Sequence, residues 1–324
     1  MAKATMGGKG RPKLDDDGPQ TAARRLALRI DALRRSSLAP VARARDERLR
    51  AQSPVYRAVV GDPARLRSYK GSATAANGLT WWVPRREGTG DKFADRIAQG
   101  VLPWREMERT RALGAGGVML DIGANIGTTS IPRVGLGDYQ AAYCAEPEPG
   151  NYAALVENIE KNGLLGFVLP DRLAIADADG EASFLVSPFM GQHELTVAGA
   201  GKGEVVTVPT RTLDSWLAHL GVDPHDVTFV KTDCQGWDGH VLRGAADLLR
   251  HRHILWQIEY WPSGIERSSM SVRELHAIIA GAFTHGIVAK TVEPIATLVE
   301  SLEAFAVSPG WGTKYTELIL FNLA

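Results

Sequence analysis

Lys231, Asp233 and Glu259 are the residues of this chain whose types and spacing can position an alcohol and take its proton. Lys231-Thr232-Asp233 closes the apolar run Val227-Thr228-Phe229-Val230, and strand alternation puts Lys231 and Asp233 on one face and Thr232 on the other. A lysine and an aspartate together at a crevice can hold and deprotonate a hydroxyl. A plain ion pair at a strand end is the structural alternative, and such pairs contribute little. Glu259 ends the next apolar run, Ile254 to Ile258, and would bring a second carboxylate to the same edge. His193, in Gly191-Gln192-His193-Glu194-Leu195, can relay a proton from a covering loop or be an ordinary exposed histidine. Gly236 lets the chain turn after Asp233, and Trp237 fits either a substrate wall or the core.

A second constellation lies upstream. Val118-Met119-Leu120-Asp121-Ile122 is a short apolar run ending in an acid, followed by Gly123-Ala124-Asn125-Ile126-Gly127-Thr128 and then by Ala141 to Glu146. This pattern predicts a strand, a tight turn, a helix and a second strand, with polar groups at the strand ends where open α/β sheets bind ligands. Glu146 follows Asp121 by 25 residues, near the spacing of about 20 at which an acid reaches a ribose hydroxyl. A dinucleotide fingerprint would need glycines where Asn125 and Thr128 stand. The turn therefore suits a nucleoside carrying no phosphate, such as S-adenosylmethionine (SAM), and argues against a nicotinamide dehydrogenase.

These residues need a scaffold, and the rest of the pattern supplies one. Helices are expected over 92–99, 104–113, 151–162, 213–220, 237–250, 271–285 and 294–305. Strands are expected at 79–84, 118–122, 141–146, 167–176, 227–233, 254–259, 287–291 and 316–322. Their alternation predicts a mostly parallel sheet with helices on both faces. Residues 181–187 and 205–212 read as a hairpin inserted before strand 227–233. Thr212 and Ser271-Val272-Arg273-Glu274 are helix-capping signals, and Gly163 suits a left-handed cap. The expected division is a disordered tail over 1–20, a basic helical extension over 21–76, and one domain over 77–324.

The bulk numbers exclude several classes. The chain has 324 residues, 37 basic and 37 acidic, with 44% hydrophobic residues. A balanced charge gives no general attraction to nucleic acid or an anionic membrane. No apolar run suggests a membrane span, and no secretory signal opens the sequence. Two cysteines, Cys144 and Cys234, read as reduced and partly buried, which fits the cytoplasm. A homo-oligomer is compatible with this composition.

Taken together, Asp121 to Gly127, Glu146-Pro147, Thr212-Leu213-Asp214, Lys231 to Asp238 and Val241 to Ala245 resemble the FkbM family of SAM-dependent methyltransferases. The resemblance runs from about Asn77 to the C-terminus. It implies a class I methyltransferase (Rossmann-like) fold, a seven-stranded sheet with the last strand antiparallel. It implies O-methylation of a small-molecule hydroxyl acceptor, a sugar or a secondary metabolite. By the family pattern the turn 123–127 faces the methionine part, Glu146 holds the ribose and the strand around Ala174 borders the adenine. The family often carries an acid or Gln before the glycine that follows the aspartate; here Gln235 stands there. A divalent ion at Asp233 and Glu259 would be another way to acidify the hydroxyl, but Gln235 disfavours a carboxylate-rich metal site. The competing reading is an inactive SAM-fold module that binds a partner through its basic N-terminal helix. A nucleic-acid base methyltransferase would need an Asn/Asp-Pro-Pro-aromatic end to strand 227–233, which is absent.

Overall fold

The computed structural model describes the backbone of 72–74 and 80–82, then 116–135, 137–186, 194–195, 204–288, 291–308, 310 and 314–323. The expected tail, the extension 21–76 apart from 72–74, the helices at 92–99 and 104–113, and His193 lie outside the described residues; 72–74, placed in a helical extension, form a strand.

Ahead of the main fold, β1 (Ser72–Thr74) pairs antiparallel with β2 (Thr80–Trp82). The main sheet then uses β3 (Val118–Ile122), β4 (Ala141–Ala145), β5 (Val168–Asp171), β10 (Val227–Thr232), β11 (Leu255–Tyr260), β12 (His285–Val288), β13 (Thr291–Pro294) and β14 (Thr316–Phe321). Its order is β13-β12-β14-β11-β10-β3-β4-β5. Strands β5, β4, β3, β10 and β11 run parallel. The last strand, β14, inserts antiparallel between β11 and β12, as expected. The sheet has eight strands where seven were expected, because the chain after β12 turns back as β13 and pairs Ile287 with Val292.

Alternation along the strands splits the core in two. Leu120, Val230, Trp256 and Leu318 face one apolar layer; Met119, Phe229, Leu255 and Ile319 face the other. The connecting elements are α1 (Ser130–Gly135), α2 (Pro149–Lys161), α3 (Leu213–Leu220), α4 (Asp238–Arg243), α5 (Pro262–Arg267), α6 (Val272–Ala282) and α7 (Ile295–Ala306). Both faces of the sheet are buried, which is why its strands read as continuous apolar runs. Each fully buried Phe, Leu or Ile contributes about 1.5–3 kcal/mol, and Trp216, Trp256 and Phe229 are among the largest buried side chains.

The capping signals act as read. Thr212 accepts from the Ser215 N–H at the start of α3, Ser271 and Glu274 form a capping box on α6, and Gly163 adopts φ +70° after α2. Two expected elements are divided. The run 237–250 is broken after Arg243 into α4 and a 3-10 turn at Leu248–Arg250. Gly244 sits at the break, where a Cβ would collide with the Ala176 carbonyl oxygen. The run 167–176 is shared between β5 and β6 (Ala174–Ile175), which belongs to a different sheet. That second sheet has the order β6-β9-β7-β8, built on the expected hairpin of β7 (Gly180–Val186) and β9 (Glu204–Arg211), with β8 (Glu194–Leu195) on its edge.

Candidate active site

Strand β3 ends in a turn that is held at every point. Gly123 and Gly127 have φ +75° and +89°, and Asn125, a non-glycine, has φ +53°. The Gly123 and Ala124 N–H groups both donate to the Ala145 carbonyl at 3.0 and 3.1 Å. Asn125 N–H donates to Glu146 Oε2 at 2.8 Å, and Glu148 N–H donates to Glu146 Oε1 at 2.9 Å. The α2 residue Asn158 donates to the Ile126 carbonyl at 3.0 Å. A Cβ at Gly127 would lie 2.6 Å from Ile131 and 2.8 Å from Leu155, so the loop packs too closely for any side chain. Thr128 follows, half-buried, just before α1.

Asp121 and Glu146 are buried behind this turn. Asp121 Oδ2 accepts from the Ser130 N–H at 3.2 Å, while Oδ1 has no hydrogen-bond partner. Burial raises the Asp121 carboxyl above its usual range, against the opposing pull of Lys231. Burial also pushes Glu146 up to about 8, partly offset by the N–H donors of Glu148 and Asn125. A buried polar atom without a partner is costly, and a carboxyl group held by backbone N–H groups has lone pairs left for hydroxyl donors. The residues present therefore fit a nucleoside cofactor: a glycine turn of close approach, an orphaned carboxylate oxygen and an acid at the end of the adjacent strand. Ala174 is buried on β6 within the apolar cluster of the second sheet.

A second group forms along β10, β11 and β14. Register aligns Lys231 with Asp121 on one side and with Gln257 on the other, so all three share a face. Asp233 and Glu259 lie one alternation further along the same face, toward the carboxyl edge. Lys231 Nζ donates to Asp233 Oδ2 at 3.1 Å, and Gln235 Nε2 donates to Asp233 Oδ1 at 3.1 Å and to Glu259 Oε2 at 3.3 Å. Burial works against the Lys231 charge, but Asp233, Asp121 and Glu317 outweigh it and hold the ammonium well above its usual range. Burial, with Asp233, Asp238 and Glu317 adding to it, raises Glu259 well above the carboxylate range. Asp233 keeps a third of its side chain exposed, in contrast to buried Lys231. It is the acid of this group that both faces outward and has two donors orienting it.

The structure thus brings Lys231, Asp233 and Glu259 together beside Asp121 and Glu146. Glu317 and Gln257 were not singled out from sequence. Gln257 Nε2 donates to Glu317 Oε2 at 3.1 Å, and Glu317 is the direct cross-strand partner of Glu259. Strand alternation in 316–321 could have flagged Glu317 as facing the same way as Ile319, but not which strand it would meet. Trp237 is resolved toward the core: it packs on the apolar face of the second sheet and lies 4.5 Å, centroid to centroid, from the His240 ring. Thr232, on the opposite face from Lys231, donates to buried Asp238 at 2.6 Å and anchors the start of α4. Among the described residues no group of three or more His, Cys, Asp or Glu is set to hold a metal ion, and no helix is long and apolar enough to cross a membrane.

Five parallel strands, an inserted antiparallel last strand and a nucleoside-type turn at the carboxyl edge define a class I SAM-dependent methyltransferase fold. The model of the Methyltransferase FkbM domain matches residues 121–282, half of the chain, and the chain belongs to that family. SAM is the cofactor. Among solved structures, a methyltransferase FkbM from Methylobacillus flagellatus KT is 15% identical with a TM-score of 0.41, covering 69% of this chain and 46% of that one. The chain thus spans less than half the length of that protein. The M. capricolum TrmK in complex with S-adenosyl-homocysteine (SAH) is 13% identical, TM-score 0.34, with 68% of each chain covered. The precorrin-6y C5,15-methyltransferase of Geobacter metallireducens is 12% identical, TM-score 0.35, covering 68% of this chain and 86% of that one. Comparison with curated proteins gives no match.

Proposed function

We propose that this methyltransferase acts on oxygen, moving a methyl group to a hydroxyl of a small molecule, a sugar or a secondary metabolite, with no nucleic-acid partner. The observation that carries this reading is Asp233, third-exposed at the crevice and oriented by Lys231 and Gln235. The proposed domain is 77–324, preceded by the tail 1–20 and the extension 21–76.

Asp121, the turn Gly123-Ala124-Asn125-Ile126-Gly127, Thr128 and Glu146 would hold SAM, with Ala174 bordering its base. Bound there, SAM supplies an electrophilic methyl group on a positively charged sulfur. Asp233 would accept the proton of the acceptor hydroxyl as its oxygen takes the methyl group, with the electron pair of the broken carbon–sulfur bond left on sulfur. Most of the acceleration of such an in-line displacement comes from holding the two reactants in place. Asp233 adds proton acceptance, Lys231 fixes the Asp233 carboxylate, and Glu259 is the second acid of the acceptor side. His193 can act as a relay from the segment ahead of β8. Balanced charge across the chain supports an uncharged small acceptor over a polyanion.

The test is Asp233→Asn, which keeps shape and hydrogen bonding. Methyl transfer to sugar and polyketide alcohols, followed by mass detection, should fall by about 10²–10⁴-fold, the range for a lost general base. SAM affinity and melting temperature should barely move. A variant that turns over like wild type would end the proposal.

A further inference from the structure

The last strand places Glu317 where no loop motif announces it. Glu259 and Glu317 are direct partners across β11 and β14, and both project from the face that carries Lys231 and Asp233. Side chains directly opposite on adjacent strands stand about 4.5–5.5 Å apart at Cβ, and like charges there destabilise each other. The charged groups that act on this pair are Lys231 on β10, Asp233 just past its end and, from the Thr232 side, Asp238 on α4. Lys231, the cation among them, has its ammonium hydrogen-bonded to Asp233. Among the described residues the pair's hydrogen-bond donors are amides, Gln235 on Glu259 and Gln257 on Glu317. Lys231 attracts both carboxylates, but its hydrogen bond is to Asp233, so two facing carboxyl groups lower their remaining repulsion by retaining one proton, as a unit that titrates jointly.

We propose that Glu317 is a positioning residue of the acceptor site: it shares one proton with Glu259, the pair offers a hydrogen-bond donor beside Asp233, and the acceptor is a vicinal diol. One hydroxyl gives its proton to Asp233 and is methylated, while its neighbour accepts a hydrogen bond from the Glu259 carboxyl. This rests on the O-methyl reading above for its substrate class, but the shared proton does not. Burial raises Glu317 to about 7 and also lifts Glu259 well above the carboxylate range, in keeping with a proton retained by the pair.

Infrared spectra of the full chain with SAH bound test the pair without any acceptor. The wild type should show the carbonyl band of a protonated carboxyl group at neutral pH. That band should weaken in both Glu317→Gln and Glu259→Gln, whereas Glu303→Gln, a control outside the site, should leave it intact. A wild-type spectrum without the band, or one that neither site variant changes, overturns the shared proton. A second arm measures methyl transfer from SAM to methyl glycosides bearing vicinal diols and to their monodeoxy counterparts. The intact diols should be preferred by wild type, and Glu317→Gln should raise their KM about tenfold, the worth of one hydrogen bond. Equal use of diol and deoxy glycosides, or transfer to neither, overturns the diol assignment. If that arm fails while Asp233→Asn still abolishes methylation of another alcohol, the O-methyl reading stands and only this inference falls.

Discussion

The Gly123 backbone presses against the carbonyl oxygen of Asp233, so closely that a Cβ at position 123 would overlap it. The Asp233 N–H in turn donates to the Ile122 carbonyl at 3.0 Å. The proposed cofactor turn and the proposed base are therefore joined through the main chain. Displacing one displaces the other.

Gly123→Ala should consequently disturb both functions. Its φ of +75° and the overlap with Asp233 add strain of about 1–3 kcal/mol. Calorimetry should show weaker SAM binding, thermal unfolding should show a lower Tm, and turnover should fall further than binding. A fully active, normally stable alanine variant would contradict the contact.

Glu146→Ala should weaken SAM binding by about 1.5–3 kcal/mol, the value of hydrogen bonds to a charged group. Because Glu146 is held up at about 8, hydroxyl donors that favour its ionised form should drive a proton off when SAM binds. Calorimetry near pH 7 in buffers of differing ionisation enthalpy should detect that release in wild type and its loss in the variant. Unchanged affinity would remove Glu146 from the ribose site.

Stability of the ligand-free protein should decline as pH rises from about 4.5 toward 8. Glu146, Glu317 and Asp238 have folded-state values raised to about 8, 7 and 6. A raised acid binds its proton more readily folded than unfolded. Its contribution is thus full below the unfolded value and lost as pH passes the folded one. Thermal melts across this range check the sign, and Glu146→Gln should flatten the upper part. A Tm that climbs through the same window would refute the raised values.

Thr232→Val should destabilise the fold by about 1–3 kcal/mol, because it leaves the fully buried Asp238 without its 2.6 Å hydroxyl donor. Denaturant titration measures this. Lys231→Met should lower both turnover and stability, since it frees Asp233 and leaves the fully buried Asp121 without its neighbouring cation.

Deleting residues 1–20, which carry little to bury, should leave Tm and SAM affinity intact. Removing the extension through Leu33 as well should lower solubility or stability if its Leu26, Ile30 and Leu33 face packs on the domain. If the longer deletion instead only abolishes binding to a partner, the docking role of the basic helix is supported. Chelator addition bears on a different point: activity lost with chelator and restored by Mg²⁺ would favour a metal at the acceptor acids over direct base catalysis.

Local patterns were enough for much of this protein. Asp121 to Gly127 and Lys231 to Gly236 announce themselves because a buried parallel strand reads as an apolar run and its ligand end as a polar break. The Thr212 cap and the Ser271–Glu274 box also act within four residues of themselves, so the sequence contains their whole physics. The break at Gly244 was not legible, since it depends on the carbonyl of Ala176, far away in sequence just after β6. Likewise, 167–176 reads as one apolar stretch although its two halves join different sheets. Glu317 is the clearest case. Its strand was expected, and so was its antiparallel direction, but the register that sets it opposite Glu259 comes from packing β14 between β11 and β12. The sequence by itself determined which strands end in acids. Only the tertiary structure decided which acids meet, because side-chain alternation fixes a face and leaves the neighbour to long-range pairing.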